Sequence, residues 1–480
     1  MRMRRRSGTR AGEVATIAED PASARGSYTG RMSHSDGPGS GAGPVERRFA
    51  LDTGVVVGRV DGDVVRALGI PYAEATRFAP PVPIKRYEAP VEAFHRALAA
   101  PQLPPKLFDR LISGDDLGTD EHCQRLSVTA PADLGDDERL PVMVWIHGGG
   151  NVAGAGDLAQ YDPRALVVEQ RVVVVAVTFR LGMLGFLGDG ADVPANLGLL
   201  DQLIALRWVR DNIAAFGGDP DAVTVFGQSS GADAIAHLMI SDGAEDLFGR
   251  VILQSAPLGV TASRAAMTEA MIAAVGTPPR DAPVEEVLAM QPVAEHAARR
   301  FGKAARMPFG VQHGFPPVPG EADLDAAWRE AARRIDVLIG CTLDETGIIA
   351  ALVPALHRVF RAPALGRATR RLLTASLTRS MYDTPARQFA DRHRSWGGRA
   401  HRYRMMWRPD GNGFGAAHLT DLPLLLGTRE SWEGAALLGS ADWSDMDRRG
   451  RLVRGVWAEF ARTGSVPDLQ KNDTIAFPSP

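Results

Sequence analysis

At 480 residues, with 45% hydrophobic and 23% charged residues and a formal net charge of −3 at pH 7, the chain has the make-up of a globular protein. That charge balance argues against a nucleic-acid or membrane-surface partner, because either needs a concentrated excess of Lys and Arg. No run of about 18 apolar residues offers a membrane span, and although the length suits about three domains of ~150 residues, the alternation of strand and helix patterns argues for one large α/β sheet.

Residues 1–46 stand apart, with a basic opening from Met1 to Arg6 and a Ser/Gly-rich run at 33–43. This composition predicts a disordered tail. No apolar stretch of ~7–15 residues follows the arginines, so export is not expected, and initiation nearer Met32 accounts for the segment equally well. A single domain is expected over 47–480. Only Cys123 and Cys341 are present, in segments far apart, so reduced thiols and a cytoplasmic location are the simpler reading.

The next strong signal is the apolar run 140–146, a strand leading directly into HGGG at 147–150. Consecutive glycines let several backbone N–H groups face one developing oxyanion with no side chain in the way. The valine-rich 172–177 reads as a buried strand. A further strand, 223–226, enters GQSSG at 227–231, followed by a helical pattern from Ala232. Strand, G-x-S-x-G and helix form the pattern of a nucleophile elbow, which makes Ser229 the candidate nucleophile. With 51 glycines the pentapeptide alone says little; its pairing with the HGGG loop points to acyl transfer. Strand patterns continue at 251–254, 337–339 and 402–407, separated by helical patterns at 265–275 and 284–290. No internal repeat is visible. The arginine-rich stretches 367–371 and 448–454 read as solvated helix faces, and Trp208 and Trp457 as core packing.

These segments resemble the type-B carboxylesterases, a family that includes bacterial p-nitrobenzyl esterases and animal cholinesterases. The resemblance spans about 54–467 and rests also on GIPYA (69–73), FRLGMLGF (179–186), NLGLLDQ (196–202), RWVRDNI (207–213) and FGGDP (216–220), in family order. It implies the α/β-hydrolase fold: a large central mixed, mostly parallel sheet flanked by helices, with helical insertions over the active site. It also implies the triad order Ser, acid, His. Glu345, after the strand within 334–340, matches the acid; the neighbouring Asp344 is the alternative, otherwise a turn or cap residue. His418, beyond the glycine-rich 410–415, matches the base, while His237, His357, His393 and His401 lack that setting and read as packing or surface histidines. His147 is expected to shape the oxyanion loop, whose donors would be the N–H groups of Gly149, Gly150 and Ser230. Ser255 resembles a serine found near the triad in relatives, or is an ordinary strand-end hydroxyl.

Two positions depart from the commoner family pattern. Gln228 stands where many relatives carry glutamate, which predicts less pull toward cationic substrates. Asn151 stands where phenylalanine is usual and either puts an amide beside the substrate or hydrogen-bonds its own loop. The cholinesterase tryptophan near the choline site has no match, so that activity is not expected, and the short 258–336 segment implies a more open or differently shaped pocket. The expected activity is ester hydrolysis through an acyl-enzyme, with no metal or organic cofactor and a small-molecule ester as partner, in a monomer or homodimer. The same mechanism on a carbamate, thioester or amide bond is the alternative, followed by a non-catalytic binding relative.

Overall fold

Strands apolar at every position are stable only where both faces are covered, and that requirement organises the molecule. The computed structural model describes residues 45–104, 111–112, 114–135, 137–260, 264–348 and 365–478. Residues 1–44 of the expected tail and His357 lie outside these residues, whereas Glu46, expected in the tail, starts the first strand. The principal strands are β1 (Glu46–Leu51), β2 (Gly54–Asp61), β3 (Val64–Pro71), β4 (Arg125–Pro131), β5 (Leu140–Ile146), β6 (Val173–Thr178), β7 (Gly218–Gln228), β8 (Arg250–Gln254), β9 (Asp336–Thr342), β10 (Ala400–Met405) and β11 (Ile475–Ala476). They form one 12-stranded sheet in the order β1-β2-β3-β4-β6-β5-β7-β8-β9-β10-β11, with the short Val91–Glu92 beside β2. From β6 through β10 all pairings are parallel; β1 to β4, β4 with β6, and β11 are antiparallel. The sheet is thus mixed: the six neighbouring strands β5 to β10 run parallel, and the short Val91–Glu92 pairs parallel with β2.

Successive side chains of a strand face opposite ways, and the core divides accordingly. Val142, Val144, Val173, Val175, Val223, Val225, Val337 and Ile339 pack into one apolar cluster. Met143, Trp145, Val174, Phe226, Ile252 and Leu338 pack into the other. Each such side chain taken fully from water contributes roughly 1.5–3 kcal/mol. Helices α1 (Arg164–Gln170), α2 (Leu197–Asn212), α3 (Ser230–Leu238), α4 (Ala265–Val275), α5 (Val284–Ala298), α6 (Leu324–Arg334), α7 (Leu365–Thr378), α8 (Thr384–Ser395) and α9 (Trp443–Thr463) connect the strands. Leu203 of α2, Ile235 of α3 and Phe389 of α8 join the first cluster; Leu166 of α1 and Trp457 of α9 join the second. Trp208 and Trp457 are both buried, as packing residues should be.

One reading of the sequence fails on α9. Arg454, expected on a solvated face, is buried, and its Nε donates to Glu169 Oε2 at 2.7 Å, tying α9 to α1. Its long stem packs in the core while the charge finds a partner. Among the described residues no helix is long and apolar enough to cross a membrane.

After β5 the chain moves to β6 on one side, and after β6 it crosses to β7 on the other. The loops leaving β5 and β7 therefore diverge at their carboxyl ends, the kind of crevice in which open parallel sheets bind ligands. HGGG follows β5 and Ser229 follows β7.

Candidate active site

Ser229 occupies the single residue between β7 and α3, with φ 58° and ψ −127°. A non-glycine residue so placed stores about 1–3 kcal/mol of strain. The flanking glycines make the turn possible in a specific way. A Cβ on Gly227 would lie 2.5 Å from the carbonyl oxygen of Ile146, and one on Gly231 only 2.2 Å from the same atom. Both glycines let the elbow press against the end of β5. The Ser229 N–H donates to the Gln254 carbonyl at 2.8 Å, fixing the turn to β8 as well.

The loop after β5 is equally constrained. Gly149 has φ 123°, and a Cβ there would sit 1.9 Å from the Ala153 carbonyl oxygen. Gly150 and Asn151 follow with φ 67° and 60°. Among the described residues none accepts a hydrogen bond from the N–H of Gly149, Gly150 or Ser230, so these donors remain available. His147 braces the loop: its Nδ1 lies 2.8 Å from the Gly148 carbonyl and its ring stacks on Phe179 at 4.5 Å. Burial pushes its imidazole down to about 4, so it is neutral near pH 7. Asn151 does not bond its own loop through its side chain. Its Nδ2 donates to the Phe309 carbonyl at 3.3 Å, while its backbone N–H donates to Ser230 Oγ at 3.2 Å.

Glu345 follows β9, and its carboxylate is fully engaged. Oε1 accepts from Ser255 Oγ at 2.5 Å and from the Thr342 N–H at 2.6 Å, and Oε2 lies 2.5 Å from His418 Nδ1. Asp344 points elsewhere: its Oδ2 accepts from the Ala416 N–H at 3.0 Å and from Arg408 Nε at 2.9 Å. One carboxylate thus meets the imidazole, and its neighbour anchors the loop that carries the imidazole. With Nδ1–H given to Glu345, His418 keeps its Nε2 lone pair as an acceptor. In this structure Gln228 Nε2 lies 3.1 Å from that atom. No hydrogen bond links Ser229 Oγ to His418, a distance that in enzymes without substrate commonly closes on binding.

A second buried acid, Asp421, lies within electrostatic reach of Glu345 and His418. Asp421 accepts from Gln254 Nε2 at 2.8 Å, and Gln254 Oε1 accepts from Trp457 Nε1 at 3.2 Å. Burial, and then the charge of Glu345, push its carboxyl up to about 6 against the opposing hydrogen bond. Two of the described histidines that were read as packing residues lie in other surroundings. His393 bonds the Ile335 carbonyl at 2.9 Å, and His237 pairs with His313.

Residues 47–359 match the sequence profile of the carboxylesterase family. The chain belongs to that family. A probable N-octanoylanthranilate hydrolase (AqdA2) of Rhodococcus erythropolis is 38% identical over 424 residues, covering 87% of this chain and 93% of that protein. Carboxylesterase 1E of Mus musculus is 41% identical over a shorter stretch, 39% of this chain and 35% of its own length. Among solved structures, a thermophilic PNB esterase superposes with a TM-score of 0.73 at 28% identity, over 90% of this chain and 94% of that one. This carboxylesterase therefore shares the α/β-hydrolase fold and is a carboxylic ester hydrolase.

Two groups that the sequence left undecided take defined places in the site. Ser255 is a direct partner of Glu345, and its strained φ of 52° directly after β8 is what carries the hydroxyl there. Gln228 contacts the base itself. The sequence signal for both was the resemblance: Ser255 matches a serine near the triad of relatives, and Gln228 a position that many relatives fill with glutamate.

Proposed function

We propose that Ser229, His418 and Glu345 form the catalytic triad of a serine esterase acting on small to medium, largely neutral or apolar esters. The observation that carries this reading is the 2.5 Å contact of His418 Nδ1 with Glu345 Oε2, in the crevice entered by the strained Ser229 turn. His418 Nε2 takes the Ser229 proton as Oγ attacks the ester carbonyl, and the N–H groups of Gly149, Gly150 and Ser230 hold the oxyanion. The alcohol leaves with a proton from His418, and water, deprotonated in turn, hydrolyses the acyl-enzyme. Glu345 keeps Nδ1 as the donor and stabilises the imidazolium. The buried, unpaired thiols of Cys123 and Cys341 are compatible with a cytoplasmic enzyme.

A p-nitrophenyl ester series from acetate to octanoate, run beside Ser229→Ala and an organophosphate label located by mass spectrometry, tests the reading. Turnover should fall by about 10⁴-fold or more in the variant, with the label on Ser229. Persistent turnover, or a label elsewhere, sinks the assignment. A second reading is favoured by the Rhodococcus erythropolis relative, whose name is that of an N-acyl substrate and whose match spans most of both chains. The same triad would then cleave an aryl amide of a medium-chain acid. Release of anthranilate from N-octanoylanthranilate, faster than from the corresponding esters, would favour it.

A further inference from the structure

A cavity of about 410 Å³ lies between α4 and the segment 311–315, outside the triad, and Arg264 and His313 are among its lining residues. Cavities of this size suit small organic ligands. Arg264 is 7% exposed, and among the described residues its guanidinium makes one hydrogen bond, from Nη2 to the Pro308 carbonyl at 2.5 Å. Nε and Nη1 have no partner among the described residues. A buried cation is ordinarily paired, because a low-dielectric site strongly disfavours a charge left alone. Among the described residues Asp233 of α3 is the acid that acts on it, yet the two form no ion pair there, and Asp233 Oδ1 has no partner among them either. Burial accordingly pushes the guanidinium down from its ordinary value.

The surroundings are built to hold the charged plane in place. Gly310 lies against it, and a Cβ there would come within 3.0 Å of Cζ and Nη2. The same segment is tied to the candidate oxyanion loop: Asn151 bonds the Phe309 carbonyl, one residue from the Pro308 carbonyl that Arg264 holds. Ile272, Val311 and Phe315 supply apolar lining. Asp189, Glu269 and Glu321 also line the cavity and are exposed, so they form its solvent-facing rim. Such a rim repels multiply charged anions more than a singly charged one.

We propose that this cavity is a subsite for a monocarboxylate on an apolar body, held by the Arg264 guanidinium. Its source is either the acid released by ester cleavage or a carboxylate carried by the substrate away from the scissile bond. The assignment of source rests on the hydrolase reading; the binding itself does not.

Calorimetric titration of the intact protein with hexanoate and with hexanamide tests the subsite without requiring turnover. Hexanoate should bind at least tenfold more tightly, and Arg264→Met should bring the two to parity. Because an apolar residue of similar length replaces an unpaired buried cation, the ligand-free variant should melt no lower than the parent. Equal binding of acid and amide by the parent, a preference that survives in Arg264→Met, or a much lower melting temperature overturns the proposal. Kinetics then separate the sources. A KM at least tenfold lower for the p-nitrophenyl monoester of adipic acid than for p-nitrophenyl hexanoate, lost in Arg264→Met, identifies a substrate-borne carboxylate. Equal KM values with hexanoate still bound identify the released acid. Normal ester turnover with equal binding of hexanoate and hexanamide leaves the hydrolase reading intact and removes the subsite, whereas hexanoate binding without turnover does the reverse.

Discussion

Glu345 and Asp344 are adjacent in the chain and differ only in what their oxygens reach. Glu345→Gln should lower kcat/KM by about 10³–10⁴, since an amide cannot hold the imidazolium in the same way. Asp344→Asn keeps an acceptor for the Ala416 N–H and should cost less than about tenfold, because surface ion pairs such as that with Arg408 are worth little. Steady-state assay of both variants decides the matter, and the reverse ranking would move the acid by one residue. Gln228→Glu places a carboxylate 3.1 Å from the ring nitrogen that Gln228 now faces. Together with Glu345 and Asp421, and with the buried Tyr382 ring 5.5 Å away, it would favour the imidazolium. The acid limb of kcat/KM should then move to higher pH, and an unmoved limb would mean that Gln228 does not act on the base. Ser229 was legible because its signal is local, five residues at a strand end. The Ser255 and Gln228 contacts join positions 90 and 190 apart, so the residues around them do not specify the partner; what pointed to both was the resemblance to relatives alone.

At the level of elements, the strands buried on both faces were readable from apolar runs alone, as with β5, β6 and β9. β1 to β3 were not, since runs such as GVVVGRVD mix charged and apolar residues and gain their regularity from antiparallel neighbours. The full length of α5, to Ala298 rather than 290, was hidden by Pro292 inside it. The glycine loop after β5 offers a sharp contrast between neighbours. Gly149→Ala drives a methyl into the Ala153 carbonyl, so the loop must move and activity should fall by about 10²–10³, the usual cost of a lost oxyanion donor. At Gly150 a Cβ meets nothing closer than 3.9 Å. Gly150→Ala therefore carries only the left-handed backbone cost of about 1–2 kcal/mol, and should retain far more activity than Gly149→Ala. Parallel urea unfolding and ester assays check both, and equal losses would dissociate the Gly149 geometry from function.

Across the whole molecule, buried titratable groups set how stability responds to acid. His147 and His313 are each held down to about 4, chiefly by burial. Between pH 6.5 and 4 the unfolded chain takes up protons at these sites and the folded chain does not, so stability falls with acid. For His147 the loss is on the order of 3 kcal/mol. Asp421 acts in the opposite sense, since folded protein keeps its proton up to about pH 6 and gains stability as pH drops below that value. His147→Asn should flatten the decline, as read by urea unfolding at several pH values; an unchanged slope would exclude His147 as its source. The loops that follow β9 and β10 also link exterior and centre. Arg408, with 54% of its side chain exposed, holds Asp344, and Asp344 holds the backbone two residues before His418. Screening at 1 M salt reaches within ~3 Å and weakens a pair worth about 0–1 kcal/mol. Ionic strength thus becomes an input to catalysis even for an uncharged ester, through the pose of the base, and appears as a decline in kcat of no more than about fivefold with KM unchanged.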